Sequence, residues 1–146
     1  MNKWDRLFMD VATRYAEMSL DPSSKVGCVI AKGKFQVSQG YNGLPRGISD
    51  TSERLNNREL KLALVLHSEE NAMLWARKED LIGATLYCTH VPCSRCASKI
   101  IQVGIKKVIY KKPTQDFNAR YADNIKLSLA ILREAGVFTI ECEISL

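Results

Sequence analysis

Proline and glycine are scarce in this 146-residue chain, with 4 and 8 residues, and no apolar run approaches the ~20 residues of a membrane-spanning helix. The hydrophobic share of 46% is that of a folded protein, which argues against intrinsic disorder. Residues 1–10 mix charged side chains with Trp4 and Phe8, unlike a secretory signal. We therefore expect one globular domain over residues 1–146, located in the cytoplasm and not in a membrane.

Cysteine is limited to five residues, an odd number that argues against a disulfide framework and favours a reducing compartment. Only Cys93 and Cys96 are closely spaced. We expect Cys28 and Cys142 to be core residues, because an isolated cysteine usually behaves as a small apolar side chain.

Hydrophobic periodicity predicts a hairpin followed by strands that alternate with helices. Such an order implies a three-layer α/β/α sandwich around a mixed five-stranded sheet. Residues 42–57 are expected to form a long loop, and the apolar segment 60–66 is ambiguous. The predicted strands are 26–31, 35–41, 84–89, 107–110 and 137–144, and the predicted helices are 4–18, 68–78, 94–103 and 122–135.

Two short motifs carry the residues suited to metal chemistry. His67 and Glu69 lie in one, Cys93 and Cys96 lie in the other, and each motif is predicted to open a helix after an apolar segment. Residues three apart on a helix are neighbours, so the two cysteines can bind one ion. A helix N-terminus also favours the thiolate form, and a set of two sulfurs and one nitrogen selects zinc.

Three protein ligands would leave one position of a tetrahedral zinc ion open, which is typical of catalytic rather than structural sites. The open position would hold a water molecule of lowered pKa, and Glu69 would accept and return its proton. His-x-Glu combined with Pro-Cys-x-x-Cys is the signature of zinc nucleobase deaminases.

Two other interpretations of these residues remain open at this point. Cys88 or His90 could complete a closed, structural zinc site, because spacing excludes neither of them. The second interpretation is a redox-active pair at Cys93 and Cys96, although this interpretation gives no role to His67 and Glu69.

The chain resembles the deoxycytidylate (dCMP) deaminases of the cytidine deaminase superfamily over nearly its whole length. The matching stretches are residues 21–27, 40–45 (Gly-Tyr-Asn-Gly-Leu-Pro), 67–72, 92–96 and 101–110. The resemblance implies a cytidine deaminase-like fold and hydrolysis of dCMP to dUMP and ammonia, which supplies dUMP for dTMP synthesis. It also implies that His67, Cys93 and Cys96 hold zinc, that Glu69 transfers protons, and that the chain forms a homo-oligomer, expected to be a hexamer.

The resemblance further implies two sets of nucleotide-binding residues. Regulation by dCTP as activator and dTTP as inhibitor is associated with the Gly-Tyr-Asn-Gly loop, where Arg46 has the fork that suits a phosphate. An aromatic side chain should stack on the pyrimidine, for which Tyr121 is the first choice and Phe117 the second. The expected substrate-binding residues are Val26, Asn42, His90, Pro92, Ser94 and Tyr121, and the expected effector-binding residues are Lys25, Tyr41, Asn42, Gly43 and Arg46.

The chain departs from the family pattern at three places. Residues 48–66 hold no Cys or His, so the second, structural zinc of many members is not expected, and we predict one zinc ion per subunit. Ser68 stands where members usually have alanine, and we expect little consequence because both residues are small. His90 stands where relatives often have an apolar residue, at a strand end beside Cys93.

The positive charge of the chain is concentrated between Arg95 and Lys126, which have eight basic and two acidic residues. Such a stretch permits an anionic partner, so a polynucleotide deaminase acting on tRNA adenosine or single-stranded DNA is the alternative function. Only three aromatic residues lie in the stretch, and the Gly-Tyr-Asn-Gly loop favours a mononucleotide, so nucleic acid is not the expected partner.

Overall fold

Seven helices and five strands occupy residues 1–143, the part of the chain that this computed structural model describes. Within that part, no helix is both long and apolar enough to cross a membrane. The helices are α1 (Lys3–Ala16), α2 (Ser52–Asn56), α3 (Arg58–Leu64), α4 (Ser68–Leu74), α5 (Lys78–Leu81), α6 (Ser94–Gln102) and α7 (Gln115–Glu134). The strands are β1 (Gly27–Lys32), β2 (Phe35–Tyr41), β3 (Thr85–Cys88), β4 (Lys107–Lys111) and β5 (Phe138–Cys142).

The five strands form one mixed sheet in the order β2-β1-β3-β4-β5. β1 is antiparallel to both β2 and β3, whereas β3, β4 and β5 are parallel. The apolar run of β1 alternates between two cores, because Cys28 and Ile30 face one core while Val29 and Ala31 face the other. A strand that is covered on both faces needs this near-continuous apolar sequence.

Helices cover both faces of the sheet, which confirms the predicted three-layer sandwich. On one face, Phe8, Met9 and Ala12 of α1 pack against β1, β3 and β4. α4, α6 and α7 cover the other face, and Ile100 and Leu132 are fully buried there.

Several element boundaries differ from the predicted ones. Residues 42–57 include α2, and the ambiguous segment 60–66 overlaps α3, because Thr51 and Asn57 cap these short helices. The predicted helix 68–78 is divided into α4 and α5, and α7 begins seven residues early because Thr114 caps it. The last strand ends at Cys142, so the prediction is wrong at Glu143, which is not in a strand, and Ile144 lies outside the described residues.

The opening helix is present over residues 3–16, but two of the apolar residues whose spacing predicts it are not buried. Leu7 and Met18 are 45% and 55% exposed, respectively. Asp5 and Met9 are buried instead, and the Asp5 carboxylate accepts a hydrogen bond of 2.7 Å from the Tyr87 hydroxyl. Apolar periodicity could not predict that Asp5 is buried, because Asp5 is polar and its burial depends on the hydrogen bond with Tyr87.

The start of α4 is held tightly against the sheet. A Cβ atom at Gly40 in β2 would lie 2.6 Å from the carbonyl oxygen of Ser68, so only glycine allows this approach. Just before α4, Leu66 and Gly43 form an isolated antiparallel bridge with two backbone hydrogen bonds of 2.8 and 3.0 Å. These contacts place His67 and Glu69 relative to the sheet.

Candidate active site and metal centre

The two motifs meet at the N-termini of α4 and α6, as the sequence predicts. His67 is the residue immediately before α4, and Cys93 is the residue immediately before α6. Cys96 lies in the first turn of α6 and is buried. His67 Nδ1 is 3.3 Å from Cys96 Sγ and 3.6 Å from Cys93 Sγ.

The chemistry and spacing of these three side chains fit a zinc ion. Their ligand atoms all lie within 4.8 Å of one another, and no other such cluster of three or more occurs within residues 1–143. With Zn–S bonds of 2.3 Å and Zn–N bonds of 2.0–2.1 Å, tetrahedral N and S ligands lie about 3.6 Å apart. The two N–S distances are close to that value. Hence the donor set needs only small adjustments to bind the ion.

The two thiols and the imidazole shift one another's protonation. A hydrogen bond from Cys96, assisted by His67, lowers the pKa of Cys93 to about 4. The same contact, together with burial, raises the pKa of Cys96 far above its usual range. The interaction with Cys93 raises the pKa of His67 to about 9, although Cys96 is the nearer sulfur, because Cys93 carries the negative charge. Cys93 is therefore a thiolate at neutral pH, the form that binds zinc.

Cys88 and His90, the alternative fourth ligands, make other contacts. Cys88 Sγ lies 3.7 Å from Ser68 Oγ, and Cys88 pairs with Cys28 across β1 and β3. The ring of His90 packs edge-on against Phe117, with centroids 5.0 Å apart. Neither residue belongs to the cluster of His67, Cys93 and Cys96, so a closed site completed by them has no support in the geometry.

Two glutamates at the start of α4 have different surroundings. Glu69 is 4% exposed and lies in the wall of a cavity beside the three ligands. Glu70 points to the other side, where its carboxylate accepts a hydrogen bond of 2.9 Å from the His67 N–H and forms an ion pair with Lys99. Burial raises the pKa of Glu70, but the hydrogen bonds from Lys99 and His67 outweigh it and lower the pKa overall.

The cavity beside Glu69, which we call the site cavity, has a volume of about 490 Å³. This volume lies within the range of small-molecule binding sites. Five of the six predicted substrate-binding residues line it: Val26, Asn42, His90, Pro92 and Tyr121. Ser94, the sixth, is instead paired with Asn124, which accepts a 3.0 Å bond from the Ser94 N–H and donates another to its hydroxyl.

Aromatic rings form one wall of the site cavity. Phe117 lies between His90 and Tyr121, and the centroids of Phe117 and Tyr121 are 4.7 Å apart. Tyr121 has non-helical φ and ψ angles of −123° and 18° within α7. Burial lowers the pKa of His90, so its ring is neutral at neutral pH. Both candidates for stacking on a base are thus in the cavity wall.

Asn42 uses its side chain to hold two segments together. Its Oδ1 accepts a 2.8 Å bond from the Val26 N–H, and its Nδ2 donates a 2.8 Å bond to the Ser24 carbonyl. Asn42 is buried and lines the site cavity, where five of the predicted substrate-binding residues lie.

Three of the predicted effector-binding residues line a second cavity of about 630 Å³, which we call the loop cavity. These are Tyr41, Gly43 and Arg46. The Arg46 guanidinium lies 4.7 Å from the ring centroid of Trp75, which is 62% exposed. Lys25 is exposed and lines neither cavity.

The wall of the site cavity also includes two basic side chains that the sequence analysis did not predict as site residues. Arg58 and Lys61, both on α3, lie in its wall. Lys61 Nζ is 3.2 Å from the Asp21 carboxylate, and both side chains are nearly buried. Within residues 1–143, no acidic side chain lies within ion-pair distance of Arg58. The only sequence signal was the presence of basic residues between the predicted loop, residues 42–57, and His67.

Comparison with known proteins identifies the family. Residues 2–112 match the model of the cytidine and deoxycytidylate deaminase zinc-binding region. An Aliivibrio fischeri protein named as an uncharacterized deaminase in the luxG 3′ region is 44% identical over 137 residues, covering 94% of this chain and 92% of that protein. The deoxycytidylate deaminase of Schizosaccharomyces pombe is 42% identical over 117 residues, covering 73% of this chain but only 36% of the yeast protein.

A solved structure agrees with this assignment. The dCMP deaminase of cyanophage S-TIM5, in complex with dCMP and dUMP, has a TM-score of 0.74 and 25% identity, covering 97% of this chain and 99% of that chain. The resemblance that the motifs indicate is therefore confirmed. The chain belongs to the cytidine and deoxycytidylate deaminase family and is a deaminase.

Proposed function

We propose that this chain hydrolyses dCMP to dUMP and ammonia. The observation that carries the proposal is the placement of Glu69 in the wall of the site cavity, beside the cluster of His67, Cys93 and Cys96. Two lines of comparison support dCMP as the substrate. The yeast relative is named a deoxycytidylate deaminase, and the phage structure contains dCMP and dUMP.

The cluster is proposed to hold one zinc ion per chain, which would supply a water of lowered pKa for attack on the base. The protein's own part is proton transfer and orientation. Glu69 takes a proton from the attacking water and returns one to the leaving amine. The wall of His90, Phe117 and Tyr121 orients the pyrimidine, because aromatic rings favour offset or edge-on contacts with another ring.

The phosphate of dCMP requires a cation near the mouth of the site cavity. Lys61 is neutralised by Asp21, whereas Arg58 lies in the same wall and has no acidic partner among residues 1–143. A guanidinium can form two parallel bonds with a phosphate. We therefore assign the substrate phosphate to Arg58, a residue that the sequence analysis did not select.

Ammonia release from a panel of substrates tests the proposal. The purified protein is incubated with dCMP, dCTP, deoxycytidine and a single-stranded oligodeoxynucleotide, and release is measured for each. We expect the highest kcat/KM for dCMP. Activity on the oligonucleotide alone would reject the proposal in favour of a polynucleotide deaminase, and elemental analysis of the active protein should show zinc in equal molar amount.

Regulation by nucleotides is proposed for the loop cavity. Its support is the position of Tyr41, Gly43 and Arg46 in one wall and a volume of about 630 Å³. We infer that dCTP activates and dTTP inhibits from this site, in a hexamer. Saturation curves for dCMP with and without each triphosphate test the regulation, and identical curves would remove it. Light scattering tests the hexamer.

A further inference from the structure

Ser68 makes a direct contact with the carboxylate of Glu69. Its hydroxyl donates a hydrogen bond of 2.6 Å to Glu69 Oε1, and the two residues are 0% and 4% exposed. A distance between 2.5 and 2.7 Å is typical of strong bonds from a hydroxyl to an ionised carboxylate. The hydroxyl that distinguishes serine from alanine at this position is therefore in direct contact with Glu69.

The two oxygens of Glu69 have different surroundings. Oε1 faces Ser68, behind which lie the buried thiols of Cys88 and Cys28. No hydrogen bond to Oε2 occurs among residues 1–143, and no buried side-chain oxygen there lacks a partner. Oε2 is therefore not fully buried, and Glu69 lines the site cavity.

We propose that Ser68 is a positioning residue that keeps Oε1 as an acceptor, so that Oε2 alone transfers protons during deamination. The inference rests on the proposed hydrolysis of dCMP. In that reaction the C4–O bond forms and the C4–N bond breaks, with its electron pair going to nitrogen. Of the two protons of water, one ends on N3 of dUMP and the other leaves in ammonia.

A fixed carboxylate matters because one group must receive a proton at one point and deliver it at another. Reacting groups held in the right geometry avoid an entropic cost at the transition state. Without the Ser68 hydroxyl, the Glu69 side chain can rotate and exchange its two oxygens. Substrate binding does not need this orientation, so the effect should fall on kcat rather than on KM.

The test compares Ser68→Ala with Ser38→Ala. Ser38, in β2, is 4% exposed, and its hydroxyl donates a 2.6 Å bond to the carbonyl of Ala72 on α4, the helix that also carries Glu69. It is therefore a matched control without contact to Glu69. For each zinc-loaded variant we would measure kcat and KM for dCMP, zinc content and melting temperature. We would also measure by calorimetry the affinity for a deoxynucleotide analogue with a tetrahedral, hydroxyl-bearing C4.

We expect Ser68→Ala to lower kcat about tenfold, with KM within about twofold and zinc content unchanged. Affinity for the tetrahedral analogue should fall by a similar factor, because such analogues report transition-state binding. Ser38→Ala should lower the melting temperature and leave kcat unchanged. Ser68→Cys keeps a weak donor of similar size, so its kcat should lie between those of the wild-type protein and Ser68→Ala. If Ser68→Ala does not fold, Ser68→Cys is compared with Ser38→Ala in its place.

Three results would overturn the inference: a kcat for Ser68→Ala within twofold of the wild-type value, an equal loss in Ser38→Ala, or a loss confined to KM. Failure of the proposed function is distinguishable, because the wild-type protein would then release no ammonia from dCMP. Wild-type activity with unchanged Ser68 variants would reject only the role of Ser68.

Discussion

An ion pair between Lys99 and Glu70 joins the two helices that carry the metal-ligating residues. Lys99 lies on α6 with Cys96, and its ammonium bonds to Glu70 Oε2 on α4. Glu70 Oε1 accepts the 2.9 Å hydrogen bond from the His67 N–H. Since His67 and Cys96 are proposed zinc ligands, we predict that Lys99→Met weakens zinc retention without unfolding the protein.

The size of the effect follows from the exposure of the pair. The side chains of Lys99 and Glu70 are 44% and 19% exposed, so solvent screens their attraction. Ion pairs of this kind contribute at most about 1 kcal/mol, which corresponds to roughly fivefold in an equilibrium constant. Glu70→Ala also removes the acceptor of the His67 N–H, which adds about 1 kcal/mol and brings the expected loss to roughly thirtyfold.

The assay is the transfer of zinc to a chromogenic chelator, followed over time together with the melting temperature. Arg14→Met is the control, because it breaks the exposed Arg14–Glu17 pair at the C-terminal end of α1, across the sheet from the site. Lys99→Met should release zinc about three to five times faster than the wild-type protein. Release at the wild-type rate, or equal acceleration by Arg14→Met, would refute the reasoning.

Three further predictions concern Glu69, Arg58 and Gly40. Glu69→Gln should retain zinc on elemental analysis while kcat for dCMP falls about 10²–10⁴-fold, because an amide cannot transfer the proton. Arg58→Gln should raise KM for dCMP at least about tenfold and leave deoxycytidine unaffected in the same ammonia assay, since the charged contact of the guanidinium with the phosphate is lost. Arg54→Gln, outside the site cavity, is its control. Gly40→Ala should destabilise the fold by about 1–3 kcal/mol in denaturant unfolding, because its Cβ would lie 2.6 Å from the Ser68 carbonyl oxygen.

The sequence sufficed to predict the elements that carry the site. His67 and Cys93 each precede a helix as expected, because both motifs follow apolar segments and lead into helical patterns. The two strands of the hairpin were also predicted to within a residue. A glycine marks the turn between them in the sequence, and in the structure Gly33 has a φ of 61°, a value that favours glycine. Local signals determine such features, and local signals are what a single sequence contains.

Features that depend on contacts between distant segments were not predictable in this way. Arg58 enters the site cavity only because α3 packs near residues 21–26, which lie more than thirty residues earlier in the chain. Ser68 and Glu69 are adjacent, and adjacent residues do not face each other on a regular helix. Their hydrogen bond depends on the rotamer that Glu69 adopts at the first turn of α4.

The Gly-Tyr-Asn-Gly loop illustrates how one motif can serve two cavities. Neighbouring residues of the loop face apart, with Tyr41 and Gly43 in the wall of the loop cavity and Asn42 in that of the site cavity. Gly43 is also bonded to Leu66, the residue before His67.

A ligand in the loop cavity can affect the site only if it binds two arrangements of this loop with different affinity. Because Asn42 holds Val26 and Ser24 through both ends of its amide, a shift of the loop would move the site-cavity wall as well. If the proposed effector binds in the loop cavity, it would therefore need no contact with the proposed zinc ligands to influence the site.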